Sequence, residues 1–157
     1  MFLDIDNESR KPLLEEIAAS AIVYAKSKLL PRIRTLEIDV LIRPFDPKDD
    51  SVGYCLCEDD HKNPRHFSIE VNSKQSLEAF VQTILHEMVH VKQYAYNELN
   101  YKYEASKSKW LSIWNGKDLT HLPYADQPWE VEALEMEKVL YDGFLSSRWD
   151  EFHNYKR

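Results

Sequence analysis

The chain has little of what usually assigns a protein at a glance. It holds two cysteines, Cys55 and Cys57, too few for a disulfide framework and too close along the chain for an easy mutual bridge. No apolar run approaches the length of a membrane span. There is no charged-then-apolar leader either, because Met1-Phe2-Leu3 runs straight into Asp4 and Asp6. Arginine-rich runs and basic patches are missing too. The 27 Asp and Glu against 20 Lys and Arg leave a formal charge of −7, which argues against nucleic acid as a direct partner. The expectation from these absences is a monomeric, soluble protein of the reducing cytoplasm with no membrane attachment. What is present is a 43% apolar and 12% aromatic composition, which argues against disorder. At 157 residues the chain suffices for a single compact domain spanning 1–157.

Hydrophobic periodicity predicts an α+β fold. From about Asn7 to Leu30, apolar residues recur at three- and four-residue steps, from Leu13 and Leu14 to Leu29, and Pro31 closes the helix. Glu15 and Glu16 near its start and Lys26 and Lys28 near its end suit the helix dipole. From Thr35 to Ile42 the period changes to two, with Leu36, Ile38, Val40 and Ile42 on one face. Ser51–Glu58 reads as a second strand, with Cys55 and Cys57 on one face. A lone Cys-x-Cys without a second cysteine pair favours a structural role over half of a metal site. His66–Val71 gives a third strand, the candidate for an exposed edge. Ser73 or Ser76 can cap the helix that follows. Together these predict a small, mostly antiparallel sheet of three or four strands packed on that helix.

The helix predicted over Leu77–Asn97 contains His86-Glu87-Met88-Val89-His90. Two histidines four residues apart lie one turn apart on one helix face, so both imidazoles can reach one metal ion. Glu87 stands where its carboxylate can reach a water on that ion, the H-E-x-x-H arrangement in which zinc polarises water and the glutamate takes its proton. Six His and 15 Glu in 157 residues give about 0.02 chance copies of the pattern. The histidines share a polar stripe with Thr83, Gln93 and Asn97, opposite an apolar face of Val81, Ile84, Leu85, Met88, Val91 and Ala95.

Zinc needs a third protein ligand if its fourth position is to stay open. A glycine three residues and a histidine six residues after His90, the metzincin arrangement, are excluded by Gln93 and Tyr96. His121 is one candidate, from a loop. Glu130 and Glu132 in Pro128-Trp129-Glu130-Val131-Glu132-Ala133 are the others. On a helix over Pro128–Leu145, Trp129, Ala133, Met136, Leu140 and Phe144 form an apolar stripe. Glu130, Glu137 and Tyr141 lie at its margin, where a ligand reaching from one helix to another would sit, while Glu132 and Glu135 lie further toward solvent. Pro128 suits the first turn. The charged tail over 147–157 is expected to fray at its end.

With both segments in view, the sequence resembles the gluzincin branch of zinc metallopeptidases, in which a glutamate on a second helix completes the site after His-Glu-x-x-His. Several such families carry an E-x-x-A pattern there with the first glutamate as ligand; Glu130-Val131-Glu132-Ala133 fits it and names Glu130. The short chain is similar to minimal gluzincins and small metallopeptidases of bacteria and phages, a likeness covering roughly Leu77–Glu137. It departs from related families at Leu134, where they place an aspartate that orients a histidine; Glu137, one turn on, is the substitute at hand. The resemblance implies a zincin-like fold, one Zn²⁺ held by His86, His90 and Glu130, Glu87 as general base, and peptide or protein as substrate.

Between the two helices, Tyr101–Tyr124 reads as aromatic-rich and irregular around Asn115-Gly116, a type I′ hairpin signal. Tyr124, Tyr141, Tyr103 and His121 are candidate donors to an oxyanion or contacts to substrate. Two alternatives stand beside the peptidase: a non-catalytic zinc-containing protein-binding domain, and a nucleic-acid-associated protease like the SprT-like group.

Overall fold

A computed structural model of the chain describes the backbone of residues 1–155 and the side chains of residues 1–147. It is mixed α+β, with three α-helices and two small sheets. The first sheet comprises β1 (Phe2–Asn7), β2 (Glu37–Arg43), β3 (Gly53–Cys57) and β4 (His66–Asn72) in the order β1-β2-β4-β3. Alternation builds it. Ile38, Val40 and Ile42 of β2 and Phe67, Ile69 and Val71 of β4 are buried, and the residues between them are at least partly exposed. Burying each such side chain stabilises the fold by about 1.5–3 kcal/mol.

The sheet is mostly parallel, not mostly antiparallel. β1 pairs parallel with β2 and β2 parallel with β4; only β3 runs antiparallel, against β4. The added strand is β1, hidden in a short segment whose alternate positions are acidic. Its link to β2 is α1 (Pro12–Leu29), and a helical crossover returns the chain in the same direction. The helix therefore starts five residues later than its periodicity predicts, with Pro12 in the first turn. β4 is also an inner strand, so the candidate edge at His66–Val71 is corrected to β3. On its outward face β4 is tied to β2, by His66 Nε2 to Asp39 Oδ2 at 2.7 Å and by Arg43 Nη2 to Glu70 Oε2 at 2.7 Å. Period-two patterning reports a strand's buried face and says nothing about its neighbours.

α2 (Leu77–Ala95) packs against α1, β3, β4 and the last helix, α3 (Pro128–Tyr155). Ser76 caps it, its side chain accepting from the Ala79 N–H at 3.2 Å. The helix stops two residues before its polar pattern does. Asn97 takes the left-handed conformation (φ 58°), and the Asn97 and Glu98 N–H groups donate to the Tyr94 and Gln93 carbonyls. That is a Schellman termination, which turns the chain sharply into the next strand.

The segment read as irregular is a second sheet, β5 (Leu99–Glu104), β6 (Lys109–Trp114) and β7 (Lys117–Asp118), all antiparallel. Asn115 and Gly116, both at positive φ, make the expected tight turn. α3 (Pro128–Tyr155) runs well past Leu145. The fraying expected at the end of the tail concerns residues whose side chains, and for 156–157 also the backbone, lie outside the described residues. Among the described residues no helix is long and apolar enough to cross a membrane.

The Asp39 hydrogen bond raises the His66 imidazole above its ordinary 6.5. A group whose folded pKa is raised adds stability that is complete below its unfolded pKa and is lost as pH rises through the folded one. Urea unfolding of wild type against Asp39→Asn should show a wild-type advantage at pH 5.5 that fades on the alkaline side of about 6.5. An advantage equal at every pH would remove the pair as its source.

Candidate metal centre

α2 brings His86 and His90 to one face, and the first turn of α3 lays Glu130 across from them. Trp129 and Ala133 anchor that turn in the core, with Trp129 tilted against Trp114 at 6.2 Å between ring centroids. Glu130, next to Trp129, then faces α2. His86 Nε2 lies 3.3 Å from Glu130 Oε2, and His90 Nε2 lies 3.4 Å from Glu130 Oε1. The three donor atoms fall within 4.8 Å of one another. A tetrahedral ion with nitrogen and oxygen bonds of about 2.05 Å needs ligand atoms about 3.3 Å apart, so the group has the spacing of a metal-binding triad.

The other nitrogen of each histidine is held. Gln93, fully buried, donates through Nε2 to the Trp129 carbonyl at 2.9 Å, which turns its Oε1 toward His90 Nδ1 at 2.8 Å. The His90 Nδ1–H must therefore donate, leaving the Nε2 lone pair for the centre. Glu137 does the same for His86, its Oε2 lying 2.7 Å from Nδ1. Partners of this kind orient the ring and raise its basicity. Leu134, one turn before Glu137, lines the cavity.

Charge follows the geometry. Burial pulls the His86 imidazole down, but Glu130 and Glu137 outweigh it and raise it to about 10. His90 is raised the same way, mainly by Glu130 against its own burial. Burial would push Glu130 up, yet His86, His90 and Tyr124 hold it well below the ordinary 4.5. Burial raises Glu87, which is only 6% exposed, and His90 and His86 offset part of the rise. In the absence of an ion the Glu130 carboxylate thus pairs with protonated imidazoles, and a metal ion at this group would displace the protons from their Nε2 atoms.

Two cavities flank the triad, of about 630 Å³ and 270 Å³. Both are lined by Ser51, Gly53, His86, Glu87 and Tyr124, so they form one cleft with the triad at its middle. The wall opposite α2 is the β3 edge. Gly53 is needed there: a methyl group on it would lie 2.5 Å from Thr83 Cγ2 and 2.9 Å from Glu87 Oε1.

The remaining candidates separate cleanly. Glu132 is ion-paired with Lys92, which also holds Glu98 at 2.7 Å. His121 is exposed in the segment after β7 and stands outside the triad. Tyr124 donates to Glu130 Oε2 at 2.8 Å and lines both cavities. Tyr141 packs against the hydrophobic core, and Tyr103 is half-exposed against Trp110. Cys55 and Cys57 are free thiols on β3. Sequence reading missed the roles of Gln93 and Gly53. Gln93 carried a signal, one turn after His90 on the same stripe, and a glycine within a strand marks close approach.

Comparison with known proteins finds no match: no family model, no curated protein and no solved structure matches the chain.

Glu137→Ala should weaken binding of an added divalent metal ion by about 10–100-fold, read by competition against a chromophoric chelator, with the far-ultraviolet dichroism unchanged. An unaltered affinity would mean that Glu137 does not orient a ligand. Gly53→Ala should cost about 1–3 kcal/mol by overpacking in urea denaturation. An unchanged midpoint would show that β3 moves away from α2 without penalty.

Proposed function

We propose that the protein is a zinc-dependent metallopeptidase of the gluzincin type, with a zincin-like fold, that hydrolyses peptide bonds within polypeptides. The observation that carries this reading is the convergence of His86 and His90 Nε2 on the two oxygens of Glu130 at 3.3 and 3.4 Å, with the buried Glu87 beside them in an open cleft. His86, His90 and Glu130 would hold the ion. Bound zinc supplies the Lewis acidity that polarises a carbonyl and acidifies water.

The chain's own residues supply the rest. Glu87, shielded from solvent and raised by burial, takes the proton of the attacking water and delivers it to the leaving amine. The Tyr124 hydroxyl, at the junction of the two cavities, turns its one proton from Glu130 Oε2 to the developing oxyanion. β3 aligns the substrate. The Asn72 N–H donates to the Val52 carbonyl and the Glu58 N–H to the His66 carbonyl, so the even-numbered residues of β3 bond to β4. Gly53 and Cys55 therefore turn their N–H and C=O groups to the open edge, the Gly53 carbonyl already accepting from the Ser51 hydroxyl at 2.7 Å, and an extended peptide can add there as a further strand.

Purified protein should bind about one zinc ion, and His86→Ala should lose it in elemental analysis. Glu87→Gln should keep the metal and lose at least about 100-fold of casein or peptide-library cleavage, and a chelator should abolish the wild-type activity. A protein that stays metal-free after zinc addition, or a Glu87→Gln variant with full activity, would overturn the proposal.

A further inference from the structure

The direction of β3 gives the cleft a polarity. The strand runs from Gly53, where the 630 Å³ cavity opens, to Cys57, past the 270 Å³ cavity lined by Cys55 and Leu56. A peptide added antiparallel to this edge runs the opposite way. The residue that follows its scissile bond then enters the larger cavity.

That cavity is acidic. Asp50, Val52, Gln75, Gln82 and Leu134 line it beyond the triad, and among the described residues no lysine or arginine does. Three carboxylates line it: Asp50, Glu87 and Glu137. Glu137 is engaged by His86 at 2.7 Å, and Glu87 is buried against Gly53. The neighbouring Asp49 is also occupied, accepting from the Tyr54 hydroxyl at 2.6 Å and the Ser51 N–H at 3.3 Å. The Asp50 side chain is different. It is exposed and has no hydrogen-bond or ion-pair partner among the described residues. Val52 and Leu134, 46% and 44% exposed, offer apolar surface in the same cavity.

We infer that the cleft selects a long cationic side chain, lysine or arginine, immediately after the scissile bond, with Asp50 as the residue that reads its charge. The inference rests on the peptidase reading and on antiparallel addition to β3. The aliphatic stem of such a side chain covers Val52 and Leu134 while its charged head stays at the wet rim beside Asp50. A glutamate in the same position would face the unpartnered Asp50 carboxylate.

The test uses zinc-loaded protein and a set of peptides identical except for Lys, Arg, Leu or Glu after the cleaved bond. Cleavage before Lys and Arg should exceed cleavage before Glu by about fivefold or more at low salt, and the ratio should shrink as salt is raised. Asp50→Lys, with zinc content and thermal unfolding unchanged, should invert the order of Lys and Glu. Equal rates for Lys and Glu in wild type, or an order that survives Asp50→Lys, overturn the inference and leave the peptidase reading standing. If no peptide is cleaved, the peptidase reading falls. Calorimetric titration of the same peptides then decides the cleft's charge preference: a Lys-over-Glu order that inverts in Asp50→Lys supports it, and no binding or no order overturns it.

Discussion

Two imidazoles on one helix can meet a carboxylate on another only if the helices are locked in register, and the α2–α3 contact does this. Gln93 spans the interface, holding the His90 ring with one end of its amide and the Trp129 backbone with the other. Glu137 repeats the arrangement two turns further along α3 with His86. Lys92 adds an ion pair to Glu132 on the solvent side. Glu87, Glu130 and Glu137 all lie close to the two histidines, a concentration of acid that would repel itself without cationic partners. The imidazoles, raised by those carboxylates, supply that balance, and a divalent cation at their Nε2 atoms would supply it in place of their protons.

The sheet contributes the other wall. Parallel pairing of β1, β2 and β4 gives a core strand system covered on its apolar face, with Phe67, Ile69 and Val71 of β4 buried against the helices. β3 is added on the outside as the far arm of a hairpin, so its unpaired edge is left beside the histidines. A side chain at position 53 would push that edge away from α2, and glycine removes the obstacle. The proximity of edge and triad therefore depends on one small residue as well as on topology.

Much of the site could be read before the fold was known. The His86–His90 spacing, the polar stripe around it and the margin positions of Glu130 and Glu137 all rest on helix periodicity, which is local and strict. Gln93 lay on that stripe too, but its task became visible only when the Trp129 carbonyl came within its reach. The strand positions were found and their order was not. β1 went unread because its alternate acids, Asp4 and Asp6, looked like a polar terminus, and without β1 nothing indicated a helical crossover or a parallel pair.

The sequence by itself determined which residues share a face: two imidazoles one turn apart, Glu130 beside an apolar stripe, and the inward residues of each strand. These follow from the 3.6- and two-residue periods of the backbone. Only the tertiary structure brought Glu130, and not Glu132 or His121, within reach of both histidines, placed β3 rather than β4 at the edge, and set that edge against the candidate triad. Those outcomes depend on pairings between segments tens of residues apart, and no local period encodes which segments will meet.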